Sequence, residues 1–137
     1  MSIDDDMVLQ AGAIPRRDGL FCLITSNNRR RWIFPKGMID YGNTPRQTAF
    51  QEAWEEAGVK GEIAKTPAGF YRYEKWGEIH HVRLYEMEVS EVFDEWPERS
   101  FRMRRWVSLQ EALERIDNED ICQILLQTYD VSKPKNS

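Results

Sequence analysis

Cysteine is scarce: Cys22 and Cys122 are the only two, too few for a disulfide framework. One lies in an apolar run and the other in a helical one, so both read as small core residues of a protein kept reduced. Histidine is equally scarce, and the adjacent His80 and His81 give no Cys/His spacing of a zinc site. No apolar run is long enough to span a bilayer. The start, Met1 to Asp6, is acidic with no hydrophobic segment behind it, unlike a secretory signal. A cytoplasmic setting without membrane attachment is therefore expected. Positive charge is not in excess. The net charge of −4 argues against nonspecific nucleic-acid binding. Repeats and linkers are also lacking, so the 137 residues read as one domain. Its core runs from about residue 7 to 131, between frayed tails.

What remains suits a globular protein: 41% hydrophobic and 12% aromatic residues. Val8–Pro15 and Leu20–Thr25 read as strands, with a turn over Pro15–Gly19. Asn27-Asn28 makes another turn before a short strand at Arg31–Phe34. A loop with Gly37 and Gly42 leads to a helix. Strands follow near Glu62–Ala64, Gly69–Tyr73 and His80–Val89, the last two joined by a hairpin at Trp76-Gly77. Met103–Val107 is a final strand. Ser108 to Glu111 has the spacing of a capping box opening a helix with Ala112, Leu113 and Ile116. Asn118 interrupts it before a last helical stretch, Ile121–Tyr129. This order predicts an α/β fold, a mixed sheet with helices packed against it.

The most informative stretch is Gly37 to Val59, GMIDYGNTPRQTAFQEAWEEAGV. Thr44 can cap, Pro45 suits the first helical position, and Gln47 completes a capping box. Gly58 is the natural stop, because it tolerates the left-handed conformation. The spacing predicts a helix over 45–57, with Ala49, Phe50, Ala53 and Ala57 as a buried stripe. Glu52, Glu55 and Glu56 fall at i, i+3 and i+4 and share another face. Such a cluster costs a few tenths of a kcal/mol per like-charge pair. It also sits at the end of the helix where the dipole disfavours anions, by roughly 0.3–1 kcal/mol each. Lys60 is the only nearby cation in sequence. Local violations of this kind mark functional sites, and carboxylate oxygens are what Mg2+ prefers.

This stretch closely resembles the Nudix box, G-x5-E-x7-R-E-U-x-E-E-x-G-U, with U an aliphatic residue. The resemblance extends over nearly the whole chain and implies an alpha/beta/alpha sandwich. Arg31-Trp32-Ile33-Phe34-Pro35-Lys36-Gly37 looks like the entry found in diadenosine-polyphosphate and diphosphoinositol-polyphosphate hydrolases. The segments Glu91–Glu98 and Arg104–Val107, and Val59-Lys60-Gly61 after the box, resemble the second of these branches. The implied activity is metal-dependent hydrolysis of a phosphoanhydride linkage in a polyphosphorylated small molecule. By the same resemblance, Glu52, Glu55 and Glu56, with the carbonyl of Gly37, hold Mg2+ or Mn2+. The general base is Glu52 or Glu55.

Candidate substrate contacts follow from position. Lys36 sits beside the glycine loop, where a flexible ammonium can follow a phosphoryl group. Arg31, Arg72, Lys75, Arg83 and His81 are further candidates, with Tyr73 and Trp76 as possible stacking surfaces. Side chains alternate along a strand, so only one of His80 and His81 can share a face with the site. The arginine clusters at 16–17, 29–31 and 99–105 are solvated faces or anion contacts.

Two residues depart from the box: Asn43 replaces its first Glu and Gln51 replaces its Arg. The family pair can form an ionic tie between loop and helix. Two amides can bond in the same place, which would make the change a compensated exchange. The rival expectation is a catalytically weak Nudix-like domain that binds a nucleotide or polyphosphate as a sensor.

Overall fold

The computed structural model describes residues 7–129. Met1–Asp6, read above as a tail, and the residues beyond Tyr129, which include the tail expected after residue 131, lie outside the described residues. The strands are β1 (Met7–Arg17), β2 (Leu20–Thr25), β3 (Trp32–Ile33), β4 (Lys36–Met38), β5 (Val59–Ile63), β6 (Gly69–Lys75), β7 (Glu78–Val92) and β8 (Arg104–Val107). The helices are α1 (Pro45–Glu52), α2 (Leu109–Arg115) and α3 (Glu119–Tyr129). A single π-helical turn, Ala53–Ala57, continues α1.

All eight strands join one mixed sheet, with the path β3-β2-β1-β7-β5. The long parallel ladder of β1 and β7, from Met7↔Ile79 to Arg16↔Glu88, is its spine. The first half of β1 pairs with β4 and its end pairs with β2, so these two strands diverge from a common partner. Side-chain alternation divides the core between two faces. Phe21, Leu23, Val82 and Leu84 pack under α2 and α3 with Ile121, Ile124 and Leu125. Cys22, Ile24, Tyr85 and Met87 pack under α1 with Ala49, Ala53 and Ala57. Helices on both sides of a mixed sheet make the expected alpha/beta/alpha sandwich.

Several element ends differ from the sequence reading. β1 continues through Arg17, because the tight turn is made by Asp18 and Gly19 alone, at φ of 54° and 79°. Lys36–Met38, read as loop, is a strand against Gln10–Gly12. Three residues are too few to display an alternation. β5 begins at Val59, directly after the helix stop. Ile116 lies one residue beyond α2 in extended conformation, and Asn118 caps α3 by accepting from the Ile121 amide at 3.1 Å. Ser108 accepts from the Glu111 amide as expected, but the Glu111 carboxylate is engaged by Arg115 at 2.6 Å.

Candidate active site

The capping box forms in full: Thr44 accepts from the Gln47 amide at 3.1 Å, and the Gln47 side chain accepts from the Thr44 amide at 2.8 Å. Three alanines bring the helix close to the sheet. Phe50, expected in that stripe, is 37% exposed and lies beside Gly61, which has no side chain to cover it. Gly58 ends the helix at φ 67°. A Cβ there would also come within 2.7 Å of the Trp96 ring, so glycine is required twice over.

The π turn decides where the glutamates point. Its i→i−5 closure, from the Gly58 amide to the Ala53 carbonyl, makes the turn wider than an α-turn. Residues then rotate less per step. Glu56 stays near the line of Glu52, while Glu55 falls to the side. Glu52 and Glu56 accordingly share a side-chain hydrogen bond, and Glu55 accepts from the Gln51 amide at 2.7 Å. The three carboxylates expected on one face are therefore a pair and a neighbour. Among the described residues no three His, Cys, Asp or Glu side chains are gathered as a ready metal cluster.

Burial, then the charge of Glu56, push the Glu52 carboxyl up to about 8. Burial also raises Glu56, although Arg102 and the Lys36 amide oppose it. A buried and a half-buried carboxyl group this close together favour a proton or a cation between them, and their oxygens are what a hard divalent ion prefers. Gly37 faces the pair so closely that a Cβ on it would overlap the Glu52 carboxyl group. The donors present therefore fit a hard divalent ion.

Lys36 is on the site. Its amide donates to Glu56 Oε1 at 3.2 Å, and its ammonium lies 4.9 Å from the centre of the Tyr73 ring. Burial lowers its pKa against the opposing charges of Glu56 and Glu52. Arg31 acts electrostatically on Lys36 and Tyr73, and Lys75 on Tyr73, so both belong to this side of the molecule. Tyr73 stacks on His80 at 4.6 Å and donates to Gln10 at 2.8 Å.

Arg72, Arg83 and His81 are on the sheet face that α1 covers, across the sheet from Tyr73. Arg72 is registered with His81 and Phe70 with Arg83, which puts these four on the face opposite Tyr73 and His80. Arg72 Nε lies 3.5 Å from His81 Nδ1, and Arg83 lies over Phe70. Of the two histidines it is His80, not His81, that shares the face of Tyr73. Trp76 is exposed at the hairpin tip, with Lys75 over its ring.

The expected bond between Asn43 and Gln51 gives way to another, since Gln51 turns to Glu55. Both amides line a depression along α1 with Gln47 and Phe50. Neither Glu52 nor Glu56 lines it, nor the second depression, around Arg16, Lys65 and Tyr129.

Sequence reasoning missed what the last arginine cluster does. Arg102, only 8% exposed, pairs with Glu56 at 3.4 Å and Glu98 at 2.6 Å and donates to the Thr25 carbonyl at 2.8 Å. Arg104 donates to the carbonyls of Ala57 and Phe93 at 2.9 and 2.8 Å and stacks on Trp96 at 4.2 Å. Trp96 donates to the Glu56 carbonyl at 3.1 Å. These residues bind the loop after β7 to the helix end, where a cation complements the dipole. Lys60 takes no such part, and packs over Trp54 and Phe93.

A glutamate-bearing helix lies behind a glycine strand, on a mixed sheet covered on both faces, and this arrangement defines a fold class. The chain belongs to the Nudix family, whose NUDIX domain model matches residues 8–125. It is 34% identical over 100 residues to "Nudix hydrolase 12, mitochondrial" of Arabidopsis thaliana, covering 67% of this chain and 49% of that protein. It is 28% identical over 100 residues to "Diphosphoinositol polyphosphate phosphohydrolase 3-beta" of Homo sapiens, covering 72% and 60%. The chain thus spans about half the length of the curated relatives it matches. An Ap4A hydrolase structure from C. elegans superposes with a TM-score of 0.76 at 22% identity, over 93% of this chain and 99% of that one. That likeness establishes the fold.

Proposed function

We propose that this protein is a pyrophosphohydrolase that cleaves a phosphoanhydride bond in a polyphosphorylated small molecule with the aid of Mg2+ or Mn2+. Family membership supports the reaction class. The observation that carries the reading is the Glu52–Glu56 carboxyl pair, half-buried and buried respectively, held against Gly37. Glu52, Glu56 and the Gly37 carbonyl would hold the ion, joined by Glu55 on release from Gln51. Bound there, such an ion supplies positive charge to phosphate oxygens and makes water more acidic.

The protein's own groups do the rest. Phosphoryl transfer needs charge neutralisation and alignment more than covalent chemistry. Lys36 binds a phosphate oxygen from beside the pair, and Arg31 and Lys75 draw a multiply charged tail toward it. Glu52, whose carboxyl lies against Gly37 beside Glu56, is our general base. The likeness to proteins named as diphosphoinositol polyphosphate and Ap4A hydrolases supports both substrate types. Two free thiols, one of them buried, support a cytoplasmic setting. Among the described residues no helix is long and apolar enough to cross a membrane.

A second reading, a weakly catalytic sensor, is favoured by one observation. Glu55 is held by Gln51 and one oxygen of Glu56 by Arg102, so two of the glutamates are already engaged. Turnover of a substrate panel with Mg2+, measured by phosphate release, separates the two. Metal-dependent turnover supports the enzyme. Tight ligand binding without turnover supports the sensor.

A further inference from the structure

The box lacks its arginine, yet its acidic turn does not lack a guanidinium. Position 51 reaches that turn, because the Gln51 amide contacts Glu55 at 2.7 Å. An arginine there would put positive charge on the cluster from the helix itself. In this chain the charge arrives from the loop after β7. Arg102 is almost wholly buried, and its three nitrogens have separate partners: Nε on Glu98, Nη1 on the Thr25 carbonyl and Nη2 on Glu56. Two of these contacts hold the guanidinium, and the third touches the candidate metal ligand. The loop is fixed to the same turn by Trp96 on the Glu56 carbonyl, by the Glu98 amide on the Glu55 carbonyl at 3.0 Å, and by Arg104 on the Ala57 carbonyl.

We propose that Arg102 is a positioning residue that has taken over the cationic role left open by Gln51, orienting the Glu56 carboxylate from outside the box. The inference rests on the metal-site reading above, and it assigns a job to a residue from a distant segment. A buried carboxylate that loses a close guanidinium is costly to keep charged and is free to turn. Arg102 Nη2 engages Oε2 and the Lys36 amide engages Oε1. Together they fix the plane of the carboxylate, which leaves the remaining lone pairs for an ion.

The test uses full-length wild type, Arg102→Lys, Arg102→Met and Arg102→Met with Gln51→Arg. Mn2+ affinity is read by titration calorimetry, and melting is read without metal, also in a Glu56→Gln background. Arg102→Met should weaken Mn2+ binding about tenfold, Arg102→Lys should retain most of it, and Gln51→Arg should restore part of what Arg102→Met loses. Without metal, Arg102→Met should lower the melting temperature clearly less when Glu56 is already Gln. Unchanged Mn2+ affinity in a folded Arg102→Met, or the same melting loss in both backgrounds, overturns the proposal. If wild type binds no Mn2+ but the melting losses still depend on Glu56, the positioning role stands and the metal-site reading falls.

Discussion

At the residue scale the proposed chemistry rests on carboxyl groups placed where they cost stability. Glu52 has its pKa raised from 4.5 to about 8 in the folded protein, so the folded state holds a proton that the unfolded chain releases. Its contribution is therefore most favourable below about pH 4.5 and is lost as pH rises toward 8. The metal-free protein should melt lower at pH 8 than at pH 5.5 on account of this group. Glu52→Gln should flatten that slope and raise the melting temperature at pH 8 while abolishing turnover, as melting scans and rate assays at both pH values will check. A slope unchanged in Glu52→Gln would assign the pH dependence to other groups. For Lys36→Ala the expected result is a raised KM for the most highly phosphorylated substrates with little change in Mn2+ affinity. Equal loss on both measures would make Lys36 part of the metal seat.

At the element scale the box is a capped helix, a π turn and a facing glycine strand. Thr44→Ala removes the side-chain half of the capping box, leaving the backbone amide of residue 44 on Gln47, and should cost about 1 kcal/mol in denaturant unfolding, without changing the site chemistry. Gly37→Ala should be the opposite case. Its methyl would displace the Glu52 carboxyl group, so turnover falls while the melting temperature changes little. The two departures from the box now separate. Asn43→Ala and Gln51→Ala should be additive in stability within about 0.5 kcal/mol, whereas Gln51→Ala and Glu55→Ala should couple. The cap, the stop at Gly58 and the glutamate spacing were legible in the sequence because each signal is local. The π turn was not, since nothing in Ala53–Ala57 distinguishes it from another α-turn. Three-residue β4 was hidden for want of a repeat. The work of Arg102 and Arg104 was hidden because their partners lie 46 or 47 residues away for the helix end and 77 for Thr25. From sequence, those arginines could be read only as a basic cluster.

At the scale of the whole molecule, the sheet brings together pieces far apart in the chain. The spine of β1 and β7 sets Gln10 and His80 with Tyr73, and β4 lays Lys36 and Gly37 against β1 and the helix. The same alternation that placed His80 there removed Arg72, Arg83 and His81 to the other face. The loop after β7 then closes over the helix end. The central claim is that the carboxyl pair seats a divalent ion used to hydrolyse a phosphoanhydride. Its most direct test is phosphate release from a diphosphoinositol polyphosphate and from a diadenosine polyphosphate, with and without Mg2+, by wild type and Glu56→Gln. The account predicts Mg2+-dependent release by wild type on at least one of the two, and its near-complete loss in Glu56→Gln with the fold intact. Release that persists in Glu56→Gln, or that proceeds equally without metal, would contradict it.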